Sequence, residues 1–247
     1  MNPSGPLNVI GGPTIGLLAG MGVSATAPFL EMVIDECRRQ YGATHQYDFP
    51  QMIIFSWPVY FRLDQPLDKA AFGGRVAEGV RWLTETGVDL IAIPANLPHI
   101  LFDTLREASS VPLLNMIEIA SESVPPGEGP VALLATRPVR DSGLYHRPMK
   151  ARGIELVATD TMQDSVDEIL AGLWRGDDAR SIGKRWRELL AMAATGGARR
   201  ALLACTDLNA IDRWEDVEIP IVDATRALAA RVVSSWYRLA TGPKTSP

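Results

Sequence analysis

Cysteine is scarce in this 247-residue sequence: Cys37 and Cys205 are the only two. Two cysteines make no disulfide framework of the kind that staples small secreted domains, so the expected setting is a reducing cytoplasm. Histidine is nearly as scarce, and none of His45, His99 and His146 stands at metal-ligand spacing from another histidine, a cysteine or a carboxylate; no metal is expected. No apolar run approaches the ~20 residues of a membrane span. There is no Lys/Arg cluster, and a net charge of −5 gives no footprint for nucleic acid or a membrane surface. The Gly/Pro-rich start, Met1 to Gly12, lacks the basic segment and apolar run of a signal peptide. What is there is an ordinary globular composition, 47% hydrophobic and 21% charged, long enough for one large domain or two of about 100–150 residues.

The chain contains one pattern twice. Ile91-Ala92-Ile93-Pro94-Ala95-Asn96-Leu97, then Val111-Pro112-Leu113-Leu114-Asn115, is matched by Ala201-Leu202-Leu203-Ala204-Cys205-Thr206-Asp207, then Ile219-Pro220-Ile221-Val222-Asp223. An earlier pair, Ile15-Gly16-Leu17-Leu18-Ala19-Gly20 and Val131-Ala132-Leu133-Leu134-Ala135-Thr136, fits the same order. Ala95 and Cys205 are 110 residues apart, and Pro112 and Pro220 are 108 apart. Two related halves facing each other would present Cys205 from one side of a cleft and Ala95 from the other.

Short apolar runs bounded by Gly, Pro or Asp alternate with longer segments of helical period. Strands are expected at Thr14–Leu18, Met52–Ser56, Leu90–Pro94, Leu113–Leu114, Val131–Ala135, Glu155–Val157, Ala201–Ala204 and Ile221–Val222. Helices are expected at Pro28–Gln40, Ala70–Glu85, Gln163–Trp174, Arg180–Ala194 and Ala224–Leu239. Such alternation implies βαβ units and parallel sheets. The fold class is α/β, with two pseudo-symmetric Rossmann-like lobes: residues 1–118 with 223–247, and residues 119–222, the hinge lying at Ser123–Pro130. Sites in such folds sit beyond the carboxyl ends of strands, which singles out Gly20–Thr26, Ala95–His99, Thr136–Ser142 and Cys205–Asn209.

Cys205 ends a strand and opens a turn, where helix N-terminal amides can lower a thiol pKa and produce a thiolate base or nucleophile. A buried core cysteine is the competing reading; the duplication favours the functional one. Cys37 lies inside a helical pattern and reads as structural. The loop Ala19-Gly20-Met21-Gly22-Val23-Ser24-Ala25-Thr26 lacks the third glycine of a dinucleotide fingerprint. Its amides, from Gly22 onward, suit a substrate carboxylate, and Ser24 and Thr26 either add hydroxyl donors or cap the helix. Asp207 either tunes Cys205 or caps its turn. His99 either orients the Asn96 loop or is a satisfied structural histidine.

These segments, together with Leu114-Asn115-Met116-Ile117-Glu118, Gly143-Leu144-Tyr145-His146 and Arg152-Gly153-Ile154-Glu155, resemble the aspartate/glutamate racemase superfamily, in its aspartate racemase branch. The resemblance implies a site in the cleft, no cofactor and no metal, a small carboxylic-acid substrate, and a homodimer. It also implies two cysteines flanking the substrate α-carbon, one removing a proton and the other delivering one to the opposite face. Cys205 matches the second; Ala95 stands in the place of the first, either naturally or as an engineered, disabling replacement. Asn96 and Thr206 match the polar neighbours that orient the substrate carboxylate, and the usual Thr after Asn96 is Leu97. Thr136 belongs to the corresponding loop of the second half. Arg62, six residues after Ser56, falls where the family has an arginine gripping an acidic side chain, and Trp174 replaces a family lysine there. A bulkier or less acidic substrate follows from that loss. The expected activity is a cofactor-independent amino-acid racemase or epimerase. The alternatives are a one-cysteine decarboxylase of malonate-type acids, for which one proton donor suffices, and an inactive small-acid-binding homologue.

Overall fold

A computed structural model of the chain describes residues 12–62, 65–211 and 219–242. The Gly/Pro-rich start up to residue 11 lies outside the described residues. The first half begins with β1 (Thr14–Ala19), α1 (Thr26–Tyr41), β2 (Gln51–Ser56), α2 (Lys69–Glu85) and β3 (Leu90–Ala92). It continues through α3 (Phe102–Glu107) and α4 (Met116–Ser123). The second half holds β4 (Val131–Ala135), α5 (Arg137–Asp141), α6 (His146–Ala151), β5 (Leu156–Val157), α7 (Asp160–Arg175) and α8 (Ala179–Thr195). It closes with β6 (Arg200–Ala204), β7 (Ile221–Asp223) and α9 (Ala224–Thr241). All strand pairs are parallel, in the orders β2-β1-β3 and β5-β4-β6-β7.

The repeat read from the sequence is present in the register. Ile91 pairs with Leu113 in an isolated parallel bridge, and Ala201 pairs with Ile221 in the other half. The Ile91 amide donates to the Pro112 carbonyl and the Ala201 amide to that of Pro220, both at 2.9 Å. The matching residues Asn115 and Asp223 then cap the helices that follow, α4 and α9, each side chain accepting amides of the first turn. Leu113–Leu114, expected as a strand, forms only that bridge.

The central strands are short and almost wholly apolar because both of their faces are covered; β4 is buried at all five positions, whereas the edge strand β2 exposes Gln51, Ile54 and Ser56. The five long helices fall where their apolar period places them, extended by a turn at most. α2, α7 and α8 begin at Asp68, Thr159 and Asp178, whose side chains accept backbone amides. One apolar cluster contains residues of both halves, among them Ile15, Leu17, Phe29, Leu133, Leu202, Val232 and Trp236. α9 lies on α1 and α4 lies on α6, and the Trp236 indole donates to the Pro13 carbonyl at 2.8 Å. No described helix is long and apolar enough to cross a membrane.

Candidate active site

Four loops at strand carboxyl ends converge on one cavity of about 540 Å³. It is lined by Gly20 to Ser24 after β1, Ala95 to Leu97 after β3, Thr136 after β4, and Ala204 to Asp207 at and after β6. Val59, Phe61, Phe72, Leu173 and Trp174 complete the wall. Ten of the sequence-expected residues therefore meet: Gly22, Ser24, Ala95, Asn96, Leu97, Thr136, Trp174, Cys205, Thr206 and Asp207. Three do not line it. Thr26 opens α1 with its hydroxyl buried and without a hydrogen-bond partner, Ser56 is exposed at the end of β2, and Arg62 lines a neighbouring cavity.

Gly22 shows why the first loop carries glycine. Its φ of +94° is one that side-chain-bearing residues rarely adopt, and a Cβ there would stand 3.2 Å from both Thr206 Oγ1 and Asp207 Oδ1. The loops after β1 and β6 thus interlock. Ser24 Oγ donates to Asp207 Oδ1 at 3.2 Å, and Trp174 Nε1 donates to Asp207 Oδ2 at 3.0 Å. Asp207 is buried, and both of its oxygens accept from cavity-lining side chains. Of the two roles open for it, the carboxylate ties the halves together and also acts on Cys205.

Cys205 is buried, and its thiol pKa is pushed up to about 12. Burial is the main cause and the Asp207 charge adds to it, while the amides of Asp207 and Leu208 pull the other way. The lowered pKa expected from a turn N-terminus is thus overturned. The turn after Cys205 is only five residues of 3-10 helix, too short a dipole to offset desolvation and a neighbouring carboxylate. At neutral pH the site holds a thiol. Cys37 is also buried, with its thiol raised to about 11, and lies in the apolar cluster as expected of a structural cysteine.

The opposite loop contains no acid or base at position 95. His99 is fully buried and held near pKa 4 by desolvation. Its Nδ1 is 2.8 Å from the Ala95 carbonyl, and its Nε2 is 3.4 Å from that of Leu114. It fixes the loop from behind and does not line the cavity. Tyr145, from the turn before α6, donates its hydroxyl to Asn96 Oδ1 at 2.5 Å. Burial raises its phenol pKa, so it remains a donor. With Oδ1 engaged, the Asn96 amide nitrogen is left as a buried donor without a partner, and the Thr136 hydroxyl is in the same condition. Both atoms belong to residues that line the cavity.

Sequence reasoning quoted Tyr145 within a family-like segment but gave it no role. Phe61, Phe72 and Leu173 were also missed, since nothing in an apolar residue's local pattern separates a cavity wall from core. Among the described residues, no group of three or more His, Cys, Asp or Glu could hold a metal ion.

Two parallel α/β halves around a cleft are the architecture of the racemases that the sequence resembles. The sequence model of the Asp/Glu/hydantoin racemase family matches residues 18–232, and the chain belongs to that family; its racemase relatives support an isomerase activity. It is 34% identical over 222 residues to the broad specificity amino-acid racemase RacX of Bacillus subtilis (strain 168), covering 90% of this chain and 97% of that one. Its fold is shared with the aspartate racemase of Picrophilus torridus (TM-score 0.75, 24% identity), over 92% of this chain and 95% of that one. It is shared also with glutamate racemase RacE1 of Bacillus anthracis (TM-score 0.67, 14% identity), over 92% and 82%.

Proposed function

We propose that the cavity takes an amino acid by its α-carboxylate, and that Cys205 exchanges the proton on one face of the α-carbon. The observation that carries this reading is the coincidence, in one cavity, of Cys205 with the unpartnered donors Asn96 Nδ2 and Thr136 Oγ1. A donor buried without a partner costs about 1–3 kcal/mol, which a bound carboxylate relieves. When the α-proton leaves, the electron pair moves into the carboxylate, and preorganised donors stabilise the resulting enediolate most where its charge develops. Cys205 must be ionised to remove that proton and neutral to return one.

The opposite face is the difficulty. Among the described residues lining the cavity, the titratable ones are Cys205 and Asp207, two positions apart on one loop. Ala95 has no proton to give, so inversion depends on water reaching the face opposite the thiol. Proton exchange at one face then outpaces racemisation. Proton NMR in heavy water tests this with each enantiomer separately. The expected result is α-proton exchange of one enantiomer with slow growth of the other; equal rates of exchange and inversion would show that a second acid/base group works opposite Cys205.

A second reading, decarboxylation of a substituted malonate, is favoured by the protonated resting state of Cys205. Loss of carbon dioxide forms the enediolate without a base, and one thiol proton completes the product. Substituted malonates belong in the same NMR panel, and turnover of a malonate faster than exchange of any amino acid would put this reading first.

A further inference from the structure

We infer that the cavity selects an amino acid with an apolar side chain and discriminates against an acidic one; the inference rests on the carboxylate-binding reading above. Once Asn96, Thr136 and Cys205 are assigned to the reacting end, the large side chains left on the wall are apolar: Met21, Val59, Phe61, Phe72, Leu173 and Trp174. None of the described residues lining the cavity is Lys, Arg or His. Among the described residues the one charge on the wall is Asp207, of the same sign as an acidic side chain, with both oxygens already accepting from Ser24 and Trp174.

Arg62 was the sequence candidate for holding an acidic side chain. It lines the adjoining cavity of about 270 Å³, and Val59, Phe61 and Phe72 line both, so the two spaces share an apolar wall. A side-chain carboxylate entering the larger cavity would lose water beside Asp207 and gain no cation, the arrangement that burial penalises most. An apolar side chain gains instead. Phe61 stands edge-on to Trp174 with ring centroids 6.5 Å apart, and aromatic edges and faces of this kind pack readily against a further ring.

The test combines exchange and binding on the full chain. Rates of α-proton exchange in heavy water are compared for Phe, Leu and Met against Asp, Glu, Lys and Arg, both enantiomers of each, and the same amino acids are titrated by calorimetry. Exchange of Phe or Leu at least about 100-fold faster than Asp or Glu is expected, with binding in the same order. Asp, Glu, Lys or Arg exchanging or binding as well as Phe would overturn the assignment. If no amino acid exchanges yet the apolar ones bind selectively, the proton-transfer role of Cys205 fails while the pocket assignment stands. If none exchanges and none binds, both fail. Phe61→Lys, at a partly exposed position, gives the wall an ammonium group and is expected to move the Asp-to-Phe affinity ratio at least tenfold toward Asp. An unmoved ratio would remove Phe61 from the side-chain pocket.

Discussion

The loop after β3 and the loop after β6 occupy equivalent places in the two halves, yet they are specialised differently. The first, Ala95 to His99, holds geometry: His99 anchors the Ala95 carbonyl and Tyr145 orients the Asn96 amide. The second, Cys205 to Asp207, holds the thiol to which we assign proton transfer and the charge that raises its pKa. A duplicated scaffold can therefore keep its symmetry in backbone register while dividing positioning and proton transfer between its copies. Symmetric strands do not imply symmetric chemistry.

The sharpest way to break this division is Cys205→Ser. If the second loop alone moves protons, α-proton exchange falls by about 10²–10⁴-fold while calorimetric binding of the amino acid changes little. A variant that still exchanges at the wild-type rate would move the chemistry elsewhere. The same group predicts a pH profile. With the thiol near pKa 12, the thiolate fraction, and with it deprotonation by Cys205, should rise about tenfold per unit from pH 7 to 10. A plateau near pH 7 would contradict the raised pKa.

Ala95→Cys gives the first loop the thiol that the second carries. The expected result is inversion accelerated by about 10²-fold or more, with exchange now seen from both enantiomers; no gain in inversion would mean that position 95 does not face the α-carbon.

Tyr145→Phe asks whether the first loop only positions. Losing the hydroxyl frees the Asn96 amide to turn, which should cost about 1–3 kcal/mol of transition-state stabilisation, seen as roughly a 10–100-fold loss in kcat/KM. The slope of the pH profile should stay as in the wild type, because Cys205 is untouched; a changed slope would give Tyr145 a part in proton transfer.

A further test concerns stability. His99 has a folded pKa of about 4 against an unfolded value near 6.5, so the unfolded chain takes up the proton first as pH falls. The stability it secures is complete above about pH 6.5 and is lost progressively toward pH 4, about 3 kcal/mol in all. Urea midpoints at pH 7 and 4.5 should differ less for His99→Gln than for the wild type. An equal difference would assign the acid sensitivity to other groups.

The strands, the long helices and the duplication were legible because apolar runs between Gly, Pro and Asp repeat at a fixed offset, and register follows from that spacing. The loops that make the cavity were legible for the same reason, lying at strand ends. Three things were not. The short helices α3, α5 and α6, of five or six residues, hold too few turns to show a helical period. The Tyr145–Asn96 bond joins residues 49 positions apart, a pairing that no local pattern encodes. The thiol of Cys205 was expected to be acidified because the sequence shows the turn that follows it but not the burial around it, and burial decides the sign.

The crossing of the two closing helices has a consequence of its own. α4 ends the first half but lies on α6 of the second, and α9 ends the second half but lies on α1 of the first. Either half alone would leave exposed the face on which the other's closing helix lies. Two copies of one half would satisfy each other by trading those helices, as in a domain-swapped dimer. The chain holds both halves of that arrangement in a single polypeptide, joined by the segment between α4 and β4, so the two can differ in sequence, as Ala95 and Cys205 do, while each still seats the other's closing helix.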